Sequence, residues 1–170
     1  MKKKSDLTNY AIGAGLYSLI DRYGNAGAEF LKGLRGIDAE TGFQYDRSLM
    51  DIAGYKLNPQ YLDRNIKQQA GFSAEIASCS KSNAQNIIDG KKTRAYRSED
   101  VAGYGKNHNV IDILEITDGT VVSSQMKFVT DPDDLLKKIA KGEGGGKNDY
   151  SRYLQADKLD VPTEQVEVMI

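Results

Sequence analysis

The chain has 170 residues, enough for one domain of ordinary size with its own core, and a formal net charge of -1 from 23 basic and 24 acidic side chains. That total argues against a generic polyanion binder; one cysteine, Cys79, excludes an internal disulfide, and a single histidine, His108, all but excludes a Cys/His zinc site. No apolar run reaches the roughly 18 to 20 residues that span a bilayer, and no apolar stretch follows the basic opening MKKKSDLTNY, so the expectation is a cytoplasmic chain holding any metal through oxygen ligands.

Residues 1–59 read as a helical extension. Apolar positions Ile12, Leu16, Leu19 and Ile20, then Phe30, Leu31 and Leu34, keep helical spacing, and Gly24 and Gly27 between them predict two short helices joined at the glycines. ETGFQYDRSLMDIAGYKLNP reads as a turn and a short helix closed by Pro59. From Gln60 a long helix is expected on Leu62, Ile66, Phe72, Ile76, Ala84 and Ile88, with Gly90 as its stop and Gly71 as a candidate bend. Glu75 lies at the margin of this stripe, either as a surface group or as one aimed inward at something positive.

GKKTRAYRSED supplies a short basic strand and a turn. Residues 64–97 carry seven basic against two acidic side chains, and residues 98–170 eight against fourteen. Lys91, Lys92, Arg94 and Arg97 therefore line a substrate path for phosphate or protect an ordinary edge strand. In NVIDILEITDGTVVSSQMKFV two β-branched runs, 110–116 and 121–129, flank Asp118-Gly119, the signature of a tight hairpin. In DPDDLLKKIAKGEGGG, Asp131 caps a helix, Pro132 opens it, lysines close it and glycines end it. GEGGGKND reads as a loop and KLDVPTEQVEVMI as a last extended segment. The order helix, strand, hairpin, helix, strand predicts an α/β (α+β) core over residues 60–170, a small mixed sheet flanked by helices.

Alternation sets Asp112 on one face with Leu114 and Ile116, and Gln125 and Lys127 on one face with Val121 and Ser123. Counting back from the turn, Asp112 falls near Gln125 and Lys127. A carboxylate, a carboxamide and an ammonium at adjoining half-buried positions are costly unless they satisfy one another or hold a metal. The plain alternative for Asp112 and Lys127 is a cross-strand ion pair worth about 0.2–1 kcal/mol. His108, four residues before Asp112, is either a phosphate contact or an ordinary loop histidine.

Asp112, then Gln125-Met126-Lys127 in the next strand, after a helix carrying Glu75 in KQQAGFSAE, resembles the PD-(D/E)XK nuclease superfamily, which includes type II restriction enzymes and archaeal-type Holliday junction resolvases. The resemblance covers about residues 60–165 and departs at two points: Ile111 stands where the pattern often has Pro, and Gln125 where it has an acidic residue. It implies a restriction endonuclease-like core and Mg²⁺- or Mn²⁺-dependent hydrolysis of phosphodiester bonds, chiefly in DNA. Asp112, Gln125 and the Met126 carbonyl would be the metal ligands, with Glu75 binding directly or through water. Lys127 would orient the attacking water and neutralise developing charge. A homodimer is left open. Two other readings stand beside this one: a catalytically inactive binding or assembly module, for which Gln125 is the best argument, and a nuclease toxin or defence effector held by an inhibitor protein.

Overall fold

The computed structural model describes residues 2–106, 108–129, 131–142, 150–162 and 166, with residues 2–13 in backbone course only. The chain begins with one helix, α1 (Lys2–Arg35), of 34 residues. The two helices expected from Gly24 and Gly27 are thus continuous. A glycine inside a helix costs only about 1 kcal/mol against alanine, and neither of these takes a positive φ that would end the helix. The chain turns at Gly36, with φ +70°. α2 (Leu49–Ala53) is short and held by a capping box, in which the Asp51 N–H donates to Ser48 Oγ and the Ser48 N–H to the Asp51 carboxylate. Pro59 opens a 3₁₀ turn (Pro59–Tyr61). α3 (Leu62–Ile88) then runs straight through Gly71 and stops before Gly90, which takes φ +71°.

α1 and α3 lie antiparallel. Arg22 Nη1 donates to the Ile88 carbonyl at 3.2 Å, and Asn83 Nδ2 to Glu29 Oε2 at 3.2 Å. A Cβ on Gly33 would run into Ser80 Oγ, so the glycine lets the two helices approach closely. Asn83 also serves the sheet: its amide donates to the Ala95 carbonyl at 2.9 Å and its Oδ1 accepts from the Ala95 N–H at 2.6 Å. These bonds satisfy the backbone groups that an edge strand would otherwise leave open.

The sheet has four strands in chain order, β1 (Arg94–Arg97), β2 (Ile113–Thr117), β3 (Thr120–Met126) and β4 (Lys158–Asp160). The first three pair antiparallel and β4 pairs parallel with β3. Asp118 and Gly119, at φ 47° and 85°, make the expected two-residue hairpin turn. A parallel pair needs a crossover, and α4 (Pro132–Lys141) supplies it, with Asp131 accepting from the Asp134 N–H at 3.0 Å as predicted. The strands are shorter than expected: β2 begins at Ile113 rather than 110, and β3 ends at Met126 rather than 129. Residues 143–149 of the expected loop, and most of the extended segment beyond 162, lie outside the described residues.

Pairing register fixes the two faces. Ala95, Ile113 and Met126 share one face and pack with Cys79 of α3. Tyr96, Leu114 and Gln125 share the other, and beside them Leu159 of β4 joins Leu135, Ile139 and Tyr153 under α4 and the 3₁₀ turn Ser151–Gln155. Leu114, 0 % exposed, sits mid-sheet on this second face; a fully buried aliphatic side chain of this kind contributes about 1.5–3 kcal/mol. The architecture is a mixed α+β fold, a four-stranded sheet between helices with a long N-terminal helix. Among the described residues no helix is long and apolar enough to cross a membrane.

Candidate active site

The hairpin register carries one residue past the ladder. Ile113 pairs with Ser124, and the Asp112 N–H still donates to the Ser124 carbonyl at 2.9 Å, so Asp112 stands opposite Gln125 as counted from the turn. Asp112 Oδ2 accepts two hydrogen bonds, from the Met126 N–H at 2.8 Å and from Gln125 Nε2. Gln125 Nε2 also donates to the Met126 carbonyl at 3.3 Å. One amide nitrogen therefore lies between a carboxylate oxygen and a backbone carbonyl oxygen. Gln125 is 2 % exposed, which holds its amide in place.

Lys127, just past the strand, is anchored by its N–H, which donates to the Asp160 carbonyl at 2.9 Å. Its ammonium does not pair with Asp112; Nζ lies 4.7 Å from the centroid of the Tyr153 ring. Arg152 stacks on the same ring at 5.0 Å and donates to the Tyr153 hydroxyl at 3.1 Å, and its Nε is buried with no hydrogen-bond partner among the described residues. Two cations thus share one aromatic ring at the end of the sheet, a cation–π arrangement worth about 0.5–2 kcal/mol each. The cross-strand ion pair that Asp112 and Lys127 might make is absent.

Burial pushes the Asp112 carboxyl above its ordinary range, against the pull of the Met126 N–H and the charges of Lys127 and His108, while Asp160 adds to the rise. Glu75, on α3, is pushed up to about 7, first by burial and next by the negative charge of Asp112. No described residue hydrogen-bonds or ion-pairs to Glu75. The two carboxylates therefore share a field across the strand end without touching through a common partner. His108 Nδ1 accepts from the Ile111 N–H at 3.0 Å and the Val110 N–H at 3.3 Å, which stiffens the loop entering Asp112.

The four basic residues expected to face phosphate are placed otherwise. Arg97 is 4 % exposed, its guanidinium held by Glu99 at 2.6 Å and Asp100 at 2.6 Å. Lys91 pairs with Asp89, Lys92 with Asp118 at the hairpin turn, and Arg94 donates to the carbonyls of Lys91 and Thr93. Register sets Arg94 against Ile116, four residues along the strand from Asp112, or about 13 Å. Arg97 pairs with Ile113, next to Asp112, but on the other face of the sheet and tied to its own carboxylates, and the remaining three do not gather beside Asp112. A cleft of about 660 Å³ among the described residues, between Phe43, Tyr45, Tyr96, Val101 and Ile116, opens over the middle and far end of β2 rather than at Asp112.

The donor set suits a hard cation in part. Asp112 Oδ2 and the Met126 carbonyl converge on one point, and turning the Gln125 carboxamide end for end would bring its Oε1 there in place of Nε2. That makes one charged and two neutral oxygens, and among the described residues no three His, Cys, Asp or Glu side chains assemble as a metal group. Mg²⁺ held by a single carboxylate keeps most of its waters and relies on substrate phosphate for the rest. Tyr153, Arg152 and Asp160 were not expected from the sequence, because each reaches the site across the β3–β4 crossover. The Arg-Tyr pair in SRYLQ is the only local signal they leave. In comparisons with known proteins no family model matches the chain, and neither a curated protein nor a solved structure does.

Proposed function

We propose that the chain is a metal-dependent nuclease of the PD-(D/E)XK type, hydrolysing phosphodiester bonds, with DNA as the preferred substrate. One observation carries the reading: Asp112 Oδ2 and the Met126 carbonyl meet at the Gln125 amide, and among the described residues no cationic side chain fills the place between them. The element order helix, three antiparallel strands, crossover helix and parallel strand supports it, since that is the core the resemblance implies.

In this mechanism Asp112, the Met126 carbonyl and a turned Gln125 carboxamide would hold Mg²⁺ or Mn²⁺, whose chemistry there would be to polarise the scissile phosphate and acidify bound water. Lys127 leaves the Tyr153 ring to meet the phosphate, orients the attacking water and offsets the negative charge that grows on the phosphoryl oxygens. Arg152, with its unmet Nε–H, holds a neighbouring phosphate and keeps the strand in line. Glu75, titrating near 7, holds a proton or releases it through water at the pH where cleavage runs.

A second reading rests on the same amide. Because Gln125 satisfies Asp112 without a metal, the site is also complete as a rigid, non-catalytic strand end, as in a binding or assembly module. Supercoiled plasmid, single-stranded DNA and RNA, each incubated with Mg²⁺, Mn²⁺ or EDTA, decide between them. The nuclease reading expects metal-dependent cutting that Asp112→Ala and Lys127→Ala abolish while circular dichroism stays native. Cutting of none of these with any metal would leave the binding module.

A further inference from the structure

α1 buries the wrong side for a helix that works alone. Its Ala26, Glu29 and Gly33 face packs on α3, a surface of small and polar residues. Its apolar stripe, Leu16, Leu19, Ile20, Tyr23, Phe30, Leu31 and Leu34, points to solvent with every member between 41 % and 72 % exposed. The stripe runs at i, i+3, i+4 and i+7 and holds no charged residue. Moreover, Arg22 reaches the last residue of α3, so the helix upstream of it projects past its neighbour, and residues 14–25 are all exposed. A helical segment of that length is marginal in water without packing.

We propose that this stripe is an interface with a second copy of the chain, α1 lying antiparallel on α1 about a two-fold axis near Asn25. Two observations favour a copy over an unrelated protein or a lipid surface. First, the stripe reverses onto itself about that axis: Leu16 meets Leu34, Leu19 meets Leu31, Ile20 meets Phe30, and Tyr23 meets Gly27. An isologous contact demands such self-complementarity. Gly27 gains a reason in this arrangement. Within one chain nothing lies within 4 Å of a Cβ there and φ is not positive, so the glycine weakens the helix for no local gain, whereas the Tyr23 ring of the second copy needs the space.

Second, the area is close to what a stable interface needs. With an aromatic side chain offering about 150–250 Å² and an aliphatic one somewhat less, and about half of each exposed, the stripe presents on the order of 700 Å² per copy. A standard stable interface needs roughly 800 Å² per partner, and the exposed Tyr17 adds to the patch. The proposal does not depend on the nuclease reading.

Sedimentation equilibrium across a thousandfold concentration range tests it, with the wild type beside Ile20→Glu and Gly27→Arg. Both positions are exposed in the single chain, so circular dichroism and melting temperature of the monomer should hold for both variants. The expected result is a wild-type mass of twice 18.7 kDa, and a dissociation constant raised at least about 30-fold by each substitution. A wild type that stays monomeric throughout would overturn the proposal, whether or not it then captures another protein or vesicles. A dimer that survives both substitutions would overturn it equally, since the interface would lie elsewhere.

Discussion

Two clusters of buried polar groups adjoin where Arg97 pairs with Ile113 and the Ser98 N–H donates to the Asp112 carbonyl at 2.8 Å, and they solve the cost of burial in opposite ways. Around Arg97 every charge meets its opposite: the guanidinium is gripped by Glu99 and Asp100, Arg47 reaches Glu99 at 3.4 Å, and the Asp46 N–H donates to Asp100 at 2.9 Å. Around Asp112 the carboxylate has only N–H donors, the nearby ammonium and guanidinium rest on an aromatic ring, and Glu75 is pushed up to about 7 with nothing bound to it. The first cluster is closed and holds loops to the sheet. Burial raises a carboxyl in each, Glu99 in the first and Glu75 in the second, but only Glu99 is in contact with cations; the second cluster therefore remains the candidate for chemistry.

The comparison can be broken from either side. The largest effect on stability belongs to the closed cluster. Arg97→Met leaves Asp100 buried without its cation and Glu99 with Arg47 alone, and should cost about 3–5 kcal/mol, read as a lower urea midpoint with little dependence on divalent metal. Next is the pH response of the open cluster. The Glu75 carboxyl is raised from its ordinary 4.5 to about 7, so between those values the folded chain holds a proton that the unfolded chain has lost. Stability must therefore fall as pH rises from about 4.5 to 7, by of order 2 kcal/mol once partial exposure is allowed for. Glu75→Gln should flatten that slope and raise the melting temperature above pH 7; an unchanged slope would assign it to another group.

Smaller still, Gln125→Glu replaces the amide donor with a second carboxylate facing Asp112. The metal-free chain should lose about 1–2 kcal/mol from like-charge repulsion and a missing hydrogen bond, and Mg²⁺ should restore it, with tighter metal binding than in the wild type. A Gln125→Glu protein indifferent to Mg²⁺ would separate this strand end from metal chemistry. At the bottom of the scale, Lys92→Ala removes an exposed pair with Asp118 at the hairpin turn. It should change stability by less than about 0.5 kcal/mol and leave cleavage untouched, because the turn end of the sheet is remote from Asp112.

Legibility in the sequence followed the range of the interactions. Asp118-Gly119 fixed a two-residue turn, and from that one local fact the register put Asp112 opposite Gln125. The caps of α4 were equally local. Gly24 and Gly27 do not break α1, because packing on α3 and the close approach at Gly33 support its downstream half, contacts that local propensity does not register. The sequence offers Arg97 as part of a phosphate path or of a charge-protected edge strand and does not show that its side chain turns inward onto Glu99 and Asp100, because strand and turn propensities carry no such information. Tyr153 was out of reach altogether: it arrives beside Lys127 only through the parallel pairing of β3 with β4.

The central claim is that chemistry belongs to the Asp112 cluster and structure to the Arg97 cluster. The most direct test is the rate of plasmid nicking in Mn²⁺ for the wild type, Asp112→Asn and Glu99→Gln, at a temperature where all three are folded. The account predicts that Asp112→Asn slows nicking by about 100-fold or more, as loss of a metal-ligating carboxylate should, while Glu99→Gln melts earlier and nicks within about threefold of the wild type. Nicking that survives Asp112→Asn, or that Glu99→Gln abolishes in the folded protein, would contradict it.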